Sequence, residues 1–182
     1  MNEEDINTPS ISPVHLAANY GLWFGLYLSG IFLMFVGSDS SALMSVLTLA
    51  MLMLCPLVVL RMLRGAYVRN MASTDFMRLW SIGVMIFFFG SLICALVTVV
   101  WIQFLHPDFL YEKAQEAVDV YRTVPEMAGS DVVHALQSAI DKGELPTPIE
   151  FAVQMGWTTV LLGSVVSLPL AFVARLGVRR QQ

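Results

Sequence analysis

Four long apolar stretches, separated by polar or charged residues, organise the chain. They cover residues 15–36, 42–60, 79–105 and 151–174, and none contains Asp, Glu, Lys or Arg. Roughly 20 apolar residues in a helix span the hydrocarbon core of a bilayer, so each stretch predicts a transmembrane helix. The third and fourth are long enough to tilt or to project beyond the lipid. Between them, over residues 106–149, the pattern changes to short amphipathic runs. Leu110, Ala114, Ala117, Val118 and Tyr121 form one helical stripe, with Asp108, Glu112, Glu116 and Asp119 mostly off it. Val132, Val133, Leu136 and Ile140 form a second, with Ser130 or Asp131 as candidate cap and Gly143 at its end. Two helices are therefore expected here, since so long a structureless connection is unusual. Thr147-Pro148-Ile149-Glu150 reads as a capping box that starts the fourth long helix.

The seam between the two patterns is "WIQFLHPDFLYEKAQEAVDVY", from Trp101 to Tyr121. His106, Asp108 and Glu112, with His134, are metal-ligand types but match no metal-binding spacing. Pro107 beside an acid is ordinary chemistry for the first turn of a helix, which is expected to start there. Trp101 and Tyr111 suit a membrane interface. The seam reads as the place where the chain leaves the lipid.

Composition agrees with the pattern. Of 182 residues, 57% are hydrophobic and 13% charged, and the mean hydropathy is +0.69. An average soluble domain is nearer a quarter charged, so lipid is the expected solvent. The net charge of −4 matters less than its segregation. Seven of the ten basic residues lie in two segments: Arg61, Arg64, Arg69 and Arg78 before the third long helix, and Arg175, Arg179 and Arg180 after the fourth. Residues 106–149 carry three basic residues against eight acids. Basic loops stay on the cytoplasmic side. The expected topology has both termini inside, an acidic cytoplasmic tail over residues 1–14 and an external segment over 106–149. The start "MNEEDINTPSISP" has no basic residue and does not read as a cleaved signal. The four arginines before the third helix are candidate contacts for anionic lipid. The basic patch is too small and too close to the membrane to suggest nucleic acid. Cys55 and Cys94 both fall in apolar runs and suggest no disulfide framework.

Small residues recur every third or fourth position in two of the helices. Ala17, Gly21, Gly25 and Ser29 form a ridge on the first, and Gly156, Thr159, Gly163 and Ser167 one on the fourth. The third offers Ser91, Cys94, Ala95 and Thr98. Such ridges let helix backbones approach closely, within one chain or between two copies. Pro56 and Pro169 read as structural kinks. No phosphate loop, intramembrane carboxylate pair or nucleophile–base motif is present, and no catalytic, cofactor or metal residue is assigned. Proton coupling and voltage sensing lack their usual intramembrane carriers.

The stretches "NYGLWFGLYLSG", "RMLRGAYVRN" and "TDFMRLWSIGVMIFFFGSLICALVTVVWIQFLHPDF", followed by an acidic helix, resemble the bacterial membrane proteins of the domain of unknown function 4199 family. The resemblance covers most of the chain. It implies a four-helix integral membrane protein of unassigned activity and transfers no catalytic residue. The expectation is a single membrane domain over residues 1–182: an all-α protein of a bacterial inner membrane, four transmembrane helices with a small external helical segment. It is expected to act without enzymatic chemistry, as a subunit or scaffold for a membrane partner or as a homo-oligomer. The alternative is handling of a lipid-linked carrier of the polyprenyl-phosphate type.

Overall fold

The computed structural model describes the backbone of residues 13–69, 76–123 and 130–179, and the side chains within 14–38, 41–68, 76–123 and 132–174. Among these residues there is helix and no strand. The order is α1 (Pro13–Val36), a single 3-10 turn (Gly37–Ser40), α2 (Ala42–Arg69), α3 (Phe76–Phe104), α4 (Phe109–Thr123), α5 (Ser130–Lys142) and α6 (Pro148–Arg179). Four of them, over Val14–Val36, Ala42–Val68, Phe76–Phe104 and Pro148–Ala174, are long and apolar enough to cross a membrane.

Two boundaries depart from the hydropathy pattern for one reason. Charge ends an apolar run but does not end a helix, because Arg, Leu and Met are all good helix formers. The segment expected as a loop after Leu60 is therefore helical through Arg69, and α6 runs on past Ala174 to Arg179. Residues 42–60 of α2 span ~28 Å at 1.5 Å per residue, close to the roughly 30 Å of a hydrocarbon core. The arginines thus ride on a helical extension just past the apolar length.

The seam is tighter than expected. The Trp101 carbonyl accepts the N–H groups of Leu105 (2.9 Å) and His106 (3.3 Å), which closes α3. The Phe109 N–H then donates to the His106 carbonyl at 3.1 Å, and α4 begins at Phe109 rather than at Pro107. Proline has no N–H to give to either helix, and here it lies in the turn between them. The start of α6 follows the capping box in both directions: the Thr147 N–H donates to Glu150 Oε2 at 2.8 Å, and the Glu150 N–H to Thr147 Oγ1 at 3.3 Å.

The described residues fall into two compact units, one drawn from Met1–Cys94 and Gly156–Gln182, the other from Ala95–Met155. The first has one apolar core made by all four long helices. Leu16, Ala17 and Phe24 come from α1; Val59, Leu63, Ala66 and Tyr67 from α2; Leu79, Ile82, Ile86 and Phe87 from α3; Ala171 and Ala174 from α6. The start of α1, the end of α2, the start of α3 and the end of α6 therefore meet. In the second unit the buried side chains are Thr98, Ile102, Phe109, Val118, Ile140 and Ala152. The expected stripe of α4 is buried or half-buried along its whole length, with its acids exposed. In α5, Val133, Leu136 and Ile140 are turned inward but Val132 is exposed, because it lies at the edge of the stripe. Arg122 of α4 donates to Gln137 Oε1 of α5 at 3.0 Å. α5 ends as expected at Gly143, the one described residue with positive φ (69°). The Glu144 N–H reaches back to the Ala139 carbonyl at 2.9 Å and the Gly143 N–H to that of Ile140 at 3.1 Å, a Schellman closure that favours glycine. Capping by Ser130 or Asp131 rests on side chains outside the described residues.

Candidate functional site

The ridge of α1 is a contact surface. Ala17, Gly21, Gly25 and Ser29 are all buried. A β-carbon on Gly21 would lie 2.5 Å from Phe89 Cβ, and one on Gly25 would lie 2.7 Å from Ile93 Cβ and 3.0 Å from the Gly90 carbonyl oxygen. Only a residue without a side chain allows α1 and α3 to run so close. The α6 ridge divides. Gly163 and Ser167 are buried against α3: a β-carbon on Gly163 would meet the Phe87 ring at 2.2 Å, and one on Gly83 would meet Ser167 Cβ at 2.9 Å. Thr159 is half-buried, and among the described residues nothing lies within 4 Å of a β-carbon built on Gly156.

The hydroxyls in these helices are mostly turned back on their own backbones. Ser29 donates to the Gly25 carbonyl (2.8 Å), Thr48 to Met44 (2.9 Å), Ser91 to Phe88 (2.8 Å) and Ser167 to Ser164 (2.9 Å). A hydroxyl satisfied in this way presents little polarity to lipid or to a passing solute. Thr98 differs. It is 0% exposed, and its hydroxyl has no hydrogen-bond partner among the described residues.

The basic residues form the second feature. Arg61 and Arg64 on α2 and Arg78 on α3 are exposed. Apart from His15, they are the only ionisable basic or acidic carboxylate-bearing side chains described in the first unit, and none has an ion pair or hydrogen bond to a described residue. The helix ends that carry them meet in the apolar core, through Leu63 and Ala66 on α2 and Leu79 on α3. Arg69 is helical in backbone; its side chain, like those of Arg175, Arg179 and Arg180, lies outside the described residues.

The seam holds an aromatic stack. His106 lies on the Trp101 indole, nearly parallel, with centroids 5.6 Å apart, and Phe109 meets the same indole edge-on at 5.2 Å. His106 Nδ1 is 4.0 Å from Glu112 Oε2. Among the described residues no group of three His, Cys, Asp or Glu side chains is placed to hold a metal ion. The side chains gathered here cap the end of α3 with apolar and aromatic surface.

Two side chains that the spacing arguments passed over tie the long helices together. The Tyr27 hydroxyl on α1 donates to the Met51 carbonyl on α2. The Trp80 indole N–H on α3 donates to the Ser164 carbonyl on α6 at 3.1 Å. An aromatic residue with a polar tip inside an apolar helix is the signal that could have found both, since a buried Tyr or Trp seeks a partner for that tip.

The family described as protein of unknown function (DUF4199) matches residues 19–175. The chain belongs to that family. The match takes in the α1 ridge from Gly21 onward, Arg61, Arg64, Arg69 and Arg78, the seam and nearly all of α6. No curated protein and no solved structure matches the chain. Membership agrees with the four membrane-length helices and assigns no activity.

Proposed function

We propose that this DUF4199 protein is a non-enzymatic subunit or scaffold of a bacterial inner membrane, built as a bundle of four transmembrane helices. Both termini lie in the cytoplasm and residues 106–149 lie outside. The observation that carries the scaffold reading is the uneven use of the helices. α1, α3 and α6 cross through glycines, whereas no residue of α2 between Ala42 and Val58 is buried. α2 thus offers a long apolar flank that lipid or a partner's helices can cover, and packing between helices in lipid needs only such complementary surface. Support for the orientation is the placement of seven of ten basic residues before the apolar length of α3 and after that of α6. The test is affinity purification from native membranes in mild detergent, with mass spectrometry of co-eluting proteins. A single protein recovered in near-equal amount is the expected result; recovery of the chain alone from every mild detergent refutes the subunit reading. Reporter fusions at Gly129 and Arg69 should report outside and inside respectively, and the reverse pattern overturns the topology.

Arg61, Arg64 and Arg78, which pair with no described residue, favour a second reading, handling of a lipid-linked phosphate carrier at the basic face. Each basic residue near an anionic surface contributes about 1 kcal/mol of attraction. Replacing Arg61 and Arg64 with Gln should then abolish function while leaving insertion intact. If a double Lys replacement works equally well, a bidentate phosphate clamp is excluded and charge alone matters.

A further inference from the structure

Both long helices that contain a proline carry the same device. In α2 the Met51 carbonyl, which accepts the Tyr27 hydroxyl, lies one turn and a half before Pro56. In α6 the Ser164 carbonyl, which accepts the Trp80 N–H, stands at the same offset from Pro169. Proline removes one backbone donor, and its ring presses on the carbonyl four residues back, that of Leu52 in α2 and of Val165 in α6, each next to the carbonyl that accepts the side-chain donor. A neighbouring helix can supply a donor to a backbone weakened in this way.

The mechanical settings of the two prolines are opposite. In α6, Gly163 and Ser167 before the proline and Ala171 and Ala174 after it are all buried, so packing holds the helix on both sides. In α2 the buried residues, Val59, Leu63, Ala66 and Tyr67, all follow Pro56. Before it, Thr48, Met51 and Cys55 are half-buried and the other side chains are exposed.

We infer that α2 is a hinged helix. Its first half, Ala42–Cys55, swings about Pro56 while its second half stays fixed in the core, and the Tyr27 hydroxyl is the latch that holds the arm against α1. Opening widens the gap between α1 and α2, on the face of α2 that carries Thr48, Met51 and Cys55, and gives a lipid chain a lateral way in. The Trp80 bond serves a bend that packing already fixes, so its loss leaves α6 in place. The inference concerns motion and stands apart from the identity of any partner.

The test uses pulsed electron-spin distance measurements on the full chain in lipid nanodiscs, with Cys55→Ala and Cys94→Ala as background. One nitroxide pair is placed through Val46→Cys and Val165→Cys, the other through Val68→Cys and Val165→Cys; all three positions are more than 60% exposed. Tyr27→Phe should raise the population of a second, displaced distance about threefold for the first pair, the effect of one membrane hydrogen bond, and leave the second pair unchanged. Pro56→Ala should narrow the first distribution, and Trp80→Phe should alter neither. The inference is overturned if Tyr27→Phe and Pro56→Ala both leave the first pair as in the parent. It is equally overturned if the Val68 pair moves as far as the Val46 pair, because α2 then moves as one rigid rod.

Discussion

Gly163→Ala and Gly156→Ala make the same chemical change on the same helix, and the structure gives them opposite signs. At Gly163 the new methyl carbon would lie 2.2 Å from Phe87 Cγ, 2.4 Å from Cδ1 and 2.7 Å from Cδ2. Carbon atoms pack best at about 3.5–4.0 Å, so the ring must withdraw by about 1.3 Å or more. It has little room. Phe87 is buried and meets Phe24 edge-on at 5.0 Å. Phe24 is itself held against α3, where a β-carbon on Gly90 would come within 2.6 Å of its Cδ1. Overpacking of this kind costs about 1–3 kcal/mol. Replacing a mid-helix glycine with alanine returns about 0.5–1 kcal/mol. The net expectation for Gly163→Ala is a loss of up to about 2.5 kcal/mol. At Gly156 no described atom lies within 4 Å of the added carbon, so only the gain of about 0.5–1 kcal/mol remains. Reversible unfolding in mixed bicelles titrated with denaturing detergent, followed by far-ultraviolet circular dichroism, measures both. Phe87→Leu should recover part of the loss in the Gly163→Ala background, because the ring is the group that clashes. Equal stability of Gly163→Ala and the parent, or equal damage at the two glycines, would refute the close crossing of α3 and α6.

Three further outcomes follow from single contacts. Thr147→Ala removes half of the reciprocal cap at the start of α6 and should destabilise by about 1 kcal/mol, with Thr147→Ser near neutral in the same titration. Gly143→Ala forces a β-carbon into a left-handed position at φ 69°; it should cost about 1 kcal/mol or more and speed amide exchange in the last turn of α5. Thr98→Val replaces a buried hydroxyl that has no partner with a methyl group of the same shape, and should stabilise by about 1 kcal/mol or more. A measured loss at Thr98 would mean that a water or ligand holds the hydroxyl.

The sequence by itself determined where the helices are, which four are long and apolar enough to cross a membrane, and how several of them end. Those properties are local or additive. A run without charges over residues 79–105 is lipid-soluble whatever it packs against, and the Thr147–Glu150 and Gly143 signals close on atoms a few residues away. The seam was legible for the same reason, to within two residues: the pattern marked the change from apolar to polar sequence at His106–Asp108, and only the turn geometry moved the start of α4 to Phe109. The loop expected after Leu60 was misread because hydropathy reports solvent, not backbone conformation, and the single glycine between Arg61 and Arg69, Gly65, does not stop the helix. Tertiary structure alone decided the partners. Gly156 and Gly163 look alike in the sequence of α6, yet only one has Phe87 against it. Pro56 and Pro169 both lie inside a long helix, and only the burial around them shows that packing holds α6 on both sides of its proline but α2 on one side. Lipid accepts any apolar face, so the pattern along a membrane helix does not say which side meets protein; contacts between residues far apart in the chain make that choice.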